Sequence, residues 1–187
     1  MAYVELLRDE DLPEAIAAES GEHTPNFVRL LAQRPAVLDA WRQLLGAVKE
    51  HMDERRYELA TLAAARRLRS SYCCLAHGKV LAEKFYSEGE VAAIAEGTHA
   101  LDETDQAVMD LAAKVAADAS SVTEADVGRL RDLGLGDDEI LDVVLTAAAR
   151  AFLTKTVDGL GVLPDASYRE LDPELRNALT VGRPIAE

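Results

Sequence analysis

The chain has 187 residues, enough to bury a core without covalent staples, and reads most simply as one domain over residues 1–187, with a motif-bearing core at about 25–162. Its 20 basic and 34 acidic residues leave a formal net charge of -14, a field that repels phosphate backbones and anionic lipid, so neither nucleic acid nor a membrane is an expected partner. The first residues are acidic, with no basic leader or cleavage site, and no uncharged apolar run reaches about 18 residues, so the expectation is a cytoplasmic protein.

Alanine and leucine dominate and apolar residues recur at helical spacing, which predicts an all-α fold. A short helix is expected over Asp11 to Glu19, with Pro13 near its start, and another over Phe27 to Gln33, ended by Arg34-Pro35 because a residue before proline avoids the helical region. Pro35 restarts the chain in a helix whose Val37, Leu38, Trp41, Leu44, Leu45 and Val48 fall on one face, read as a buried stripe. A helix from about Asp53 to Arg69 turns Leu59, Leu62, Ala63 and Ala65 inward, and Ser70 or Ser71 caps the next, "YCCLAHGKVLAEKFY". Gly89 is read as ending a turn before a short helix at Glu90 to Glu96. Asp102 or Thr104 caps the helix after that, and Thr123 with Asp126 marks a capping box for the one following. "GDDEILDVVLTAAARAFLTKTVDGLGV" is a long apolar helix, and the tail from Pro164 is less regular. A faint repeat at an offset of 84, Leu62 to Leu81 over Thr146 to Asp165, shares "AAAR" and suggests two similar helical halves; Val157 and Gly161 stand where the first copy has Cys73 and His77.

The chemistry-bearing stretch is "SSYCCLAHG", which holds both cysteines of the chain. With a serine cap, Cys73 lies in the first helical turn, where free backbone N–H groups and the positive end of the helix dipole favour a thiolate. His77, four residues on, shares the face of Cys73 and can exchange a proton with it, whereas Cys74 points about 100° away. Glu58 is the candidate to orient the imidazole and relay the proton, directly or through a water. The plainer reading is a small buried hydrophobe in an alanine-rich helix. Zinc is disfavoured because adjacent cysteines on one helix cannot both face one ion. A Cys73–Cys74 disulfide is disfavoured because adjacent Cα atoms lie about 3.8 Å apart, below the usual disulfide range of about 4.4–6.8 Å.

The run from Glu58 through "LATLAAARRLRSS" to Tyr72, Cys73 and His77 resembles the signature of the carboxymuconolactone decarboxylase and AhpD-like alkylhydroperoxidase superfamily. "PNFVRLLAQRPAVLDAWRQLL" upstream and the helices after Glu124 are similar too, so the resemblance covers about Pro25 to Val162. It implies an AhpD-like helical bundle that associates into homo-oligomers, with Cys73 as the peroxide-reacting cysteine and Glu58 and His77 as its proton relay; no cofactor or metal is expected. The resolving cysteine of the family falls on Ser70, which puts an internal disulfide cycle in doubt and resembles the peroxidase-related subgroup.

The expected activity is that of a thiol-dependent peroxidase: a hydroperoxide or another small molecule as substrate, and an external thiol, a redox partner protein or Cys74 as reductant. Tyr72 is an auxiliary candidate that lines the pocket or donates a hydrogen bond. A decarboxylase-like lyase would need a cationic pocket, and its candidates Arg55, Arg56, Arg66 and Arg67 read more simply as solvated helix faces. A non-enzymatic helical oligomer is the third reading. His23, His51 and His99 lack an acid or cysteine partner at motif spacing, although His51 could share the face of Glu58. The apolar stripes around Trp41 and over Ile140 to Val157 exceed what a lone small bundle needs, which independently favours a homo-oligomer.

Overall fold

The computed structural model describes residues 2–20, 23–98 and 101–187, and His99 lies outside them. Ten α-helices follow one another among the described residues, with no strand. They are α1 (Glu14–Ser20), α2 (Asn26–Leu31), α3 (Pro35–Lys49), α4 (Glu54–Arg67), α5 (Ser71–Lys84), α6 (Glu88–Glu96), α7 (Glu103–Asp118), α8 (Glu124–Asp132), α9 (Asp137–Gly159) and α10 (Pro173–Leu179). No helix among the described residues is long and apolar enough to cross a membrane.

Most helix starts follow from local chemistry. Asp53, Ser87, Asp102, Thr123 and Asp172 each accept a backbone N–H of the first turn that follows, and Ser87 with Glu90 and Thr123 with Asp126 form reciprocal capping boxes. Gly89 is inside the first turn of α6, because the Ser87–Glu90 capping box starts that helix at Glu88, two residues before the expected Glu90.

Helix α4 is the centre of the bundle. Every residue from Tyr57 to Ala65 is buried, since α5, α7 and α9 all pack against it. Its alanines let those neighbours approach closely. Arg55 and Arg56 are not simply solvated: Asp105 on α7, fully buried, sits 2.6 Å from Arg55 and 3.2 Å from Arg56. Arg66 donates 2.8 Å to the Ala178 carbonyl and tethers α10, which also packs on α6 and α5. Arg67 alone of the four is exposed.

Helix α3 departs from the expected stripe. Leu38, Trp41 and Val48 are buried, but Val37 is 42% and Leu44 46% exposed. Together with Leu145 and Phe152 of α9 they line an open apolar groove. The repeat segments also differ locally: the first spans the break between α4 and α5, whereas the second begins inside the uninterrupted α9.

The α4–α5 turn sets up the site. Arg69 takes φ 58°, a left-handed conformation that costs a non-glycine residue about 1–3 kcal/mol. The tail holds this turn: Gly182 N donates 2.8 Å to Ser71 Oγ, and Arg69 Nε donates 3.4 Å to the Val181 carbonyl.

Candidate active site

Ser70 is the N-cap residue of α5, so Cys73 is its third helical residue, inside the first turn. The Ser70 hydroxyl makes no cap hydrogen bond; it is fully buried beside the Asp158 carboxyl, which burial pushes above its ordinary range. Cys73 is 2% exposed, and its sulfur accepts a 3.3 Å hydrogen bond from Thr154 Oγ1 of α9. Cys74 is fully buried, and burial followed by the neighbouring Cys73 pushes its thiol strongly up, so it stays protonated.

His77 and Glu58 are joined across α5 and α4, with Nδ1 2.5 Å from Oε2. Glu58 is buried, and burial alone would raise its carboxyl. The His77 hydrogen bond, the charge His77 carries when protonated, and the charges of Lys49 and Arg150 outweigh that and hold it below its ordinary range. Its other oxygen lies 3.5 Å from Lys49 Nζ. Burial first, then the charge of Arg150, push the His77 pKa down to about 4 against the pull of Glu58. At neutral pH the imidazole is therefore neutral and donates its Nδ1–H to the carboxylate, leaving Nε2 as a free acceptor.

Cys73 and His77 share a helix face, yet no hydrogen bond joins them: the sulfur is turned to Thr154 and the imidazole to Glu58. A proton passing between them needs a bridging water or a side-chain rotation.

On the other side of Cys73, Tyr72 donates a short hydrogen bond to the buried Asp165 and accepts one of 3.2 Å from Phe27 N. Asp165 also accepts from Asn26 N at 2.8 Å and lies 3.6 Å from His23 Nε2, a carboxylate partner for His23 that is remote in sequence. The Tyr168 ring meets Tyr72 edge-on at 6.4 Å. His51 sits exposed in the turn after α3, outside the helix that carries Glu58.

Four further residues complete the site and escape sequence reasoning: Lys49, Tyr57, Arg150 and Thr154. Arg150 is buried and donates 3.3 Å to the Tyr57 hydroxyl, and Tyr57 packs edge-on to His77 at 6.4 Å. The available signal was Arg150 itself, a charge in the middle of the apolar run "LTAAARAFLT" with Thr154 one turn further on.

These helices and their order are those of the AhpD-like all-α fold. An uncharacterized peroxidase-related protein from Ralstonia eutropha JMP134, described as an alkylhydroperoxidase AhpD core, superposes with a TM-score of 0.78 at 20% identity, covering 97% of this chain and 98% of its own. An uncharacterized peroxidase-related protein from Silicibacter sp. TM1040 gives 0.79 at 19% identity, over 90% and 94% of the two chains. The debrominase Bmp8 gives 0.75 at 13% identity, over 93% and 96%, so the fold hosts more than one activity. No family model and no curated protein matches the chain.

Proposed function

We propose that the protein is a thiol-dependent peroxidase-like oxidoreductase with Cys73 as nucleophile and the Glu58–His77 pair as proton relay. The observation that carries this reading is the pair itself: a buried carboxylate holds a neutral imidazole one helical turn from a first-turn cysteine whose sulfur already accepts a hydrogen bond. The peroxidase-related names of two fold neighbours agree with it.

In this mechanism His77 Nε2 takes the thiol proton, through a water or after a rotation, and Glu58 stabilises the imidazolium that forms. The thiolate attacks the distal oxygen of a hydroperoxide; the O–O bond breaks, the sulfur becomes a sulfenic acid and the alkoxide leaves, taking the proton from His77 as the alcohol. An external thiol then condenses with the sulfenic acid, releasing water, and a second thiol frees Cys73 as the reductant leaves as its disulfide. Ser70 and the protonated, fully buried Cys74 support an external reductant over an internal one.

Self-association belongs to the same proposal. The groove of Val37, Leu44, Leu145 and Phe152 supplies an apolar surface for it between α3 and α9. The function is tested by following hydroperoxide consumption with an excess of small thiol, with mass mapping of the oxidised residue. The reading expects oxidation at Cys73 and loss of turnover in Cys73→Ala. Full turnover by that variant would overturn it.

A further inference from the structure

Arg150 is the only lysine or arginine among the described residues that is buried, at 3% exposure. Its guanidinium offers five N–H donors in a rigid fork. One nitrogen donates to the Tyr57 hydroxyl at 3.3 Å, the Trp41 ring lies 6.0 Å away, and the buried Nε has no partner. No carboxylate of the described residues stands within ion-pair distance. Glu58 feels its charge, but the two Glu58 oxygens are already turned to His77 and Lys49. Burying a cation without a counterion is among the costliest arrangements a fold can hold, and the leftover donor asks for an acceptor that the protein does not supply.

Position says where that acceptor belongs. Thr154 follows Arg150 by one turn of α9, on the same face, and touches the Cys73 sulfur. Tyr57, held by Arg150, packs on His77. The unpaired guanidinium is therefore built into the wall of the thiol site, one turn of α9 from the residue that touches the reacting sulfur. A planar fork with a free donor matches a carboxylate better than it matches a neutral group.

We infer that Arg150 is an anion subsite and that the substrate of the Cys73 centre carries a carboxylate close to its reacting oxygen. This deepens the peroxidase reading and rests on Cys73 being the reacting centre. The chain's charge of -14 repels anions at long range, so selection for a carboxylate has to come from a local, buried cation of this kind.

The test reads charge preference at Cys73 without requiring turnover. The full chain, Arg150→Gln and Arg150→Lys are alkylated with iodoacetate and, separately, with iodoacetamide, and the rates at the Cys73 peptide are expressed relative to a model cysteine peptide. The unsubstituted protein should favour iodoacetate by about tenfold over the model peptide, Arg150→Gln should lose that preference, and Arg150→Lys should keep part of it. Loss of both rates together in Arg150→Gln, with the ratio unchanged, would mean that the guanidinium serves the thiolate, and would overturn the subsite. Because the buried substitution can unfold the chain, benzoate and benzamide are also compared as protectants of Cys73 in the unsubstituted protein. Protection by benzoate alone supports the subsite, and equal or absent protection overturns it. Charge preference without any hydroperoxide reduction would keep the subsite and remove the peroxidase reading; reduction with no charge preference would do the reverse.

Discussion

Thr154→Val separates reactivity from stability at the candidate nucleophile. The two side chains are nearly the same shape, and Thr154 is buried, so the substitution deletes one donor and leaves the packing of α9 in place. What is lost is a 3.3 Å hydrogen bond to the Cys73 sulfur. Such a bond contributes about 0.5–1.5 kcal/mol to a neutral acceptor and about 1.5–3 kcal/mol to a charged one, so its loss falls harder on the thiolate than on the thiol by about 1–2 kcal/mol. That difference corresponds to a factor of about 5–30 in the thiolate population at any pH where the thiol form dominates. Folding stability changes by about 1 kcal/mol, the usual worth of one hydrogen bond. The assay is the rate of iodoacetamide labelling at the Cys73 peptide, at several fixed pH values, beside a urea denaturation curve. Labelling should fall about 5–30-fold while the midpoint barely moves. An unchanged or faster rate with an unchanged midpoint would refute the argument that Thr154 favours the reactive form.

Three further outcomes follow from the same geometry. His77 binds its proton at about 4 in the folded protein and at its ordinary value of 6.5 when unfolded, so between those values the unfolded chain holds more protons. Stability is complete above about pH 6.5 and falls as the pH drops toward about 4, by an amount on the order of 1–3 kcal/mol; His77→Gln should flatten that slope in denaturation curves, and an undiminished slope would place the acid sensitivity elsewhere. Cys74→Ala should leave hydroperoxide turnover intact and cost about 1 kcal/mol of stability, since Cys74 is a packed, protonated thiol; loss of turnover would make Cys74 the resolving residue. Gly78→Ala would push a methyl group into the side chain of Leu179, which is fully buried and must shift to admit it, so thermal unfolding should report a loss of about 1–3 kcal/mol, and an unchanged melting temperature would contradict the close approach of α10 to α5.

Local signals were legible at several helix starts, where a few neighbouring residues decide the outcome. Thr123 with Asp126 announces the start of α8, and Pro35 the start of α3, because caps and ring constraints act within one turn. The all-α fold could be read for the same reason. Val37 and Leu44 could not be placed, since a helical stripe shows which residues share a face and not how wide a strip of that face a neighbouring helix covers. Arg55 and Arg56 look solvated in the sequence alone, because their partner Asp105 lies about fifty positions away. Within the candidate site, a motif in the sequence pairs Glu58 with His77, and the two side chains do meet, while Arg150 and Thr154 are hidden because their partners come from helices far apart in the chain. His23 makes the same point: its carboxylate neighbour, Asp165, comes from the far end of the sequence.

The C-terminal segment is what holds the α4–α5 turn in place. Four of its groups converge on the end of α4 and the first turn of α5: the Ala178 carbonyl on Arg66, the Val181 carbonyl on Arg69, the Gly182 amide on Ser71 and the Asp165 carboxylate on Tyr72. Leu175 and Leu179 are fully buried beneath them. A left-handed arginine at the turn is stable only when its surroundings over-determine it, and these contacts do so from outside the motif. Cys73 is thus fixed at the third position of its helix by a segment that lies outside the Glu58-to-His77 motif. The 2% exposure of Cys73 follows from the same packing: helices wrap the site on several sides, so a reagent reaches the sulfur only when part of that wrapping opens, and small size is an advantage in reaching it. A donor such as Thr154 and a cation such as Arg150 act more strongly in this dry surrounding than they would at a surface, because the same burial that limits access also lowers the local dielectric constant.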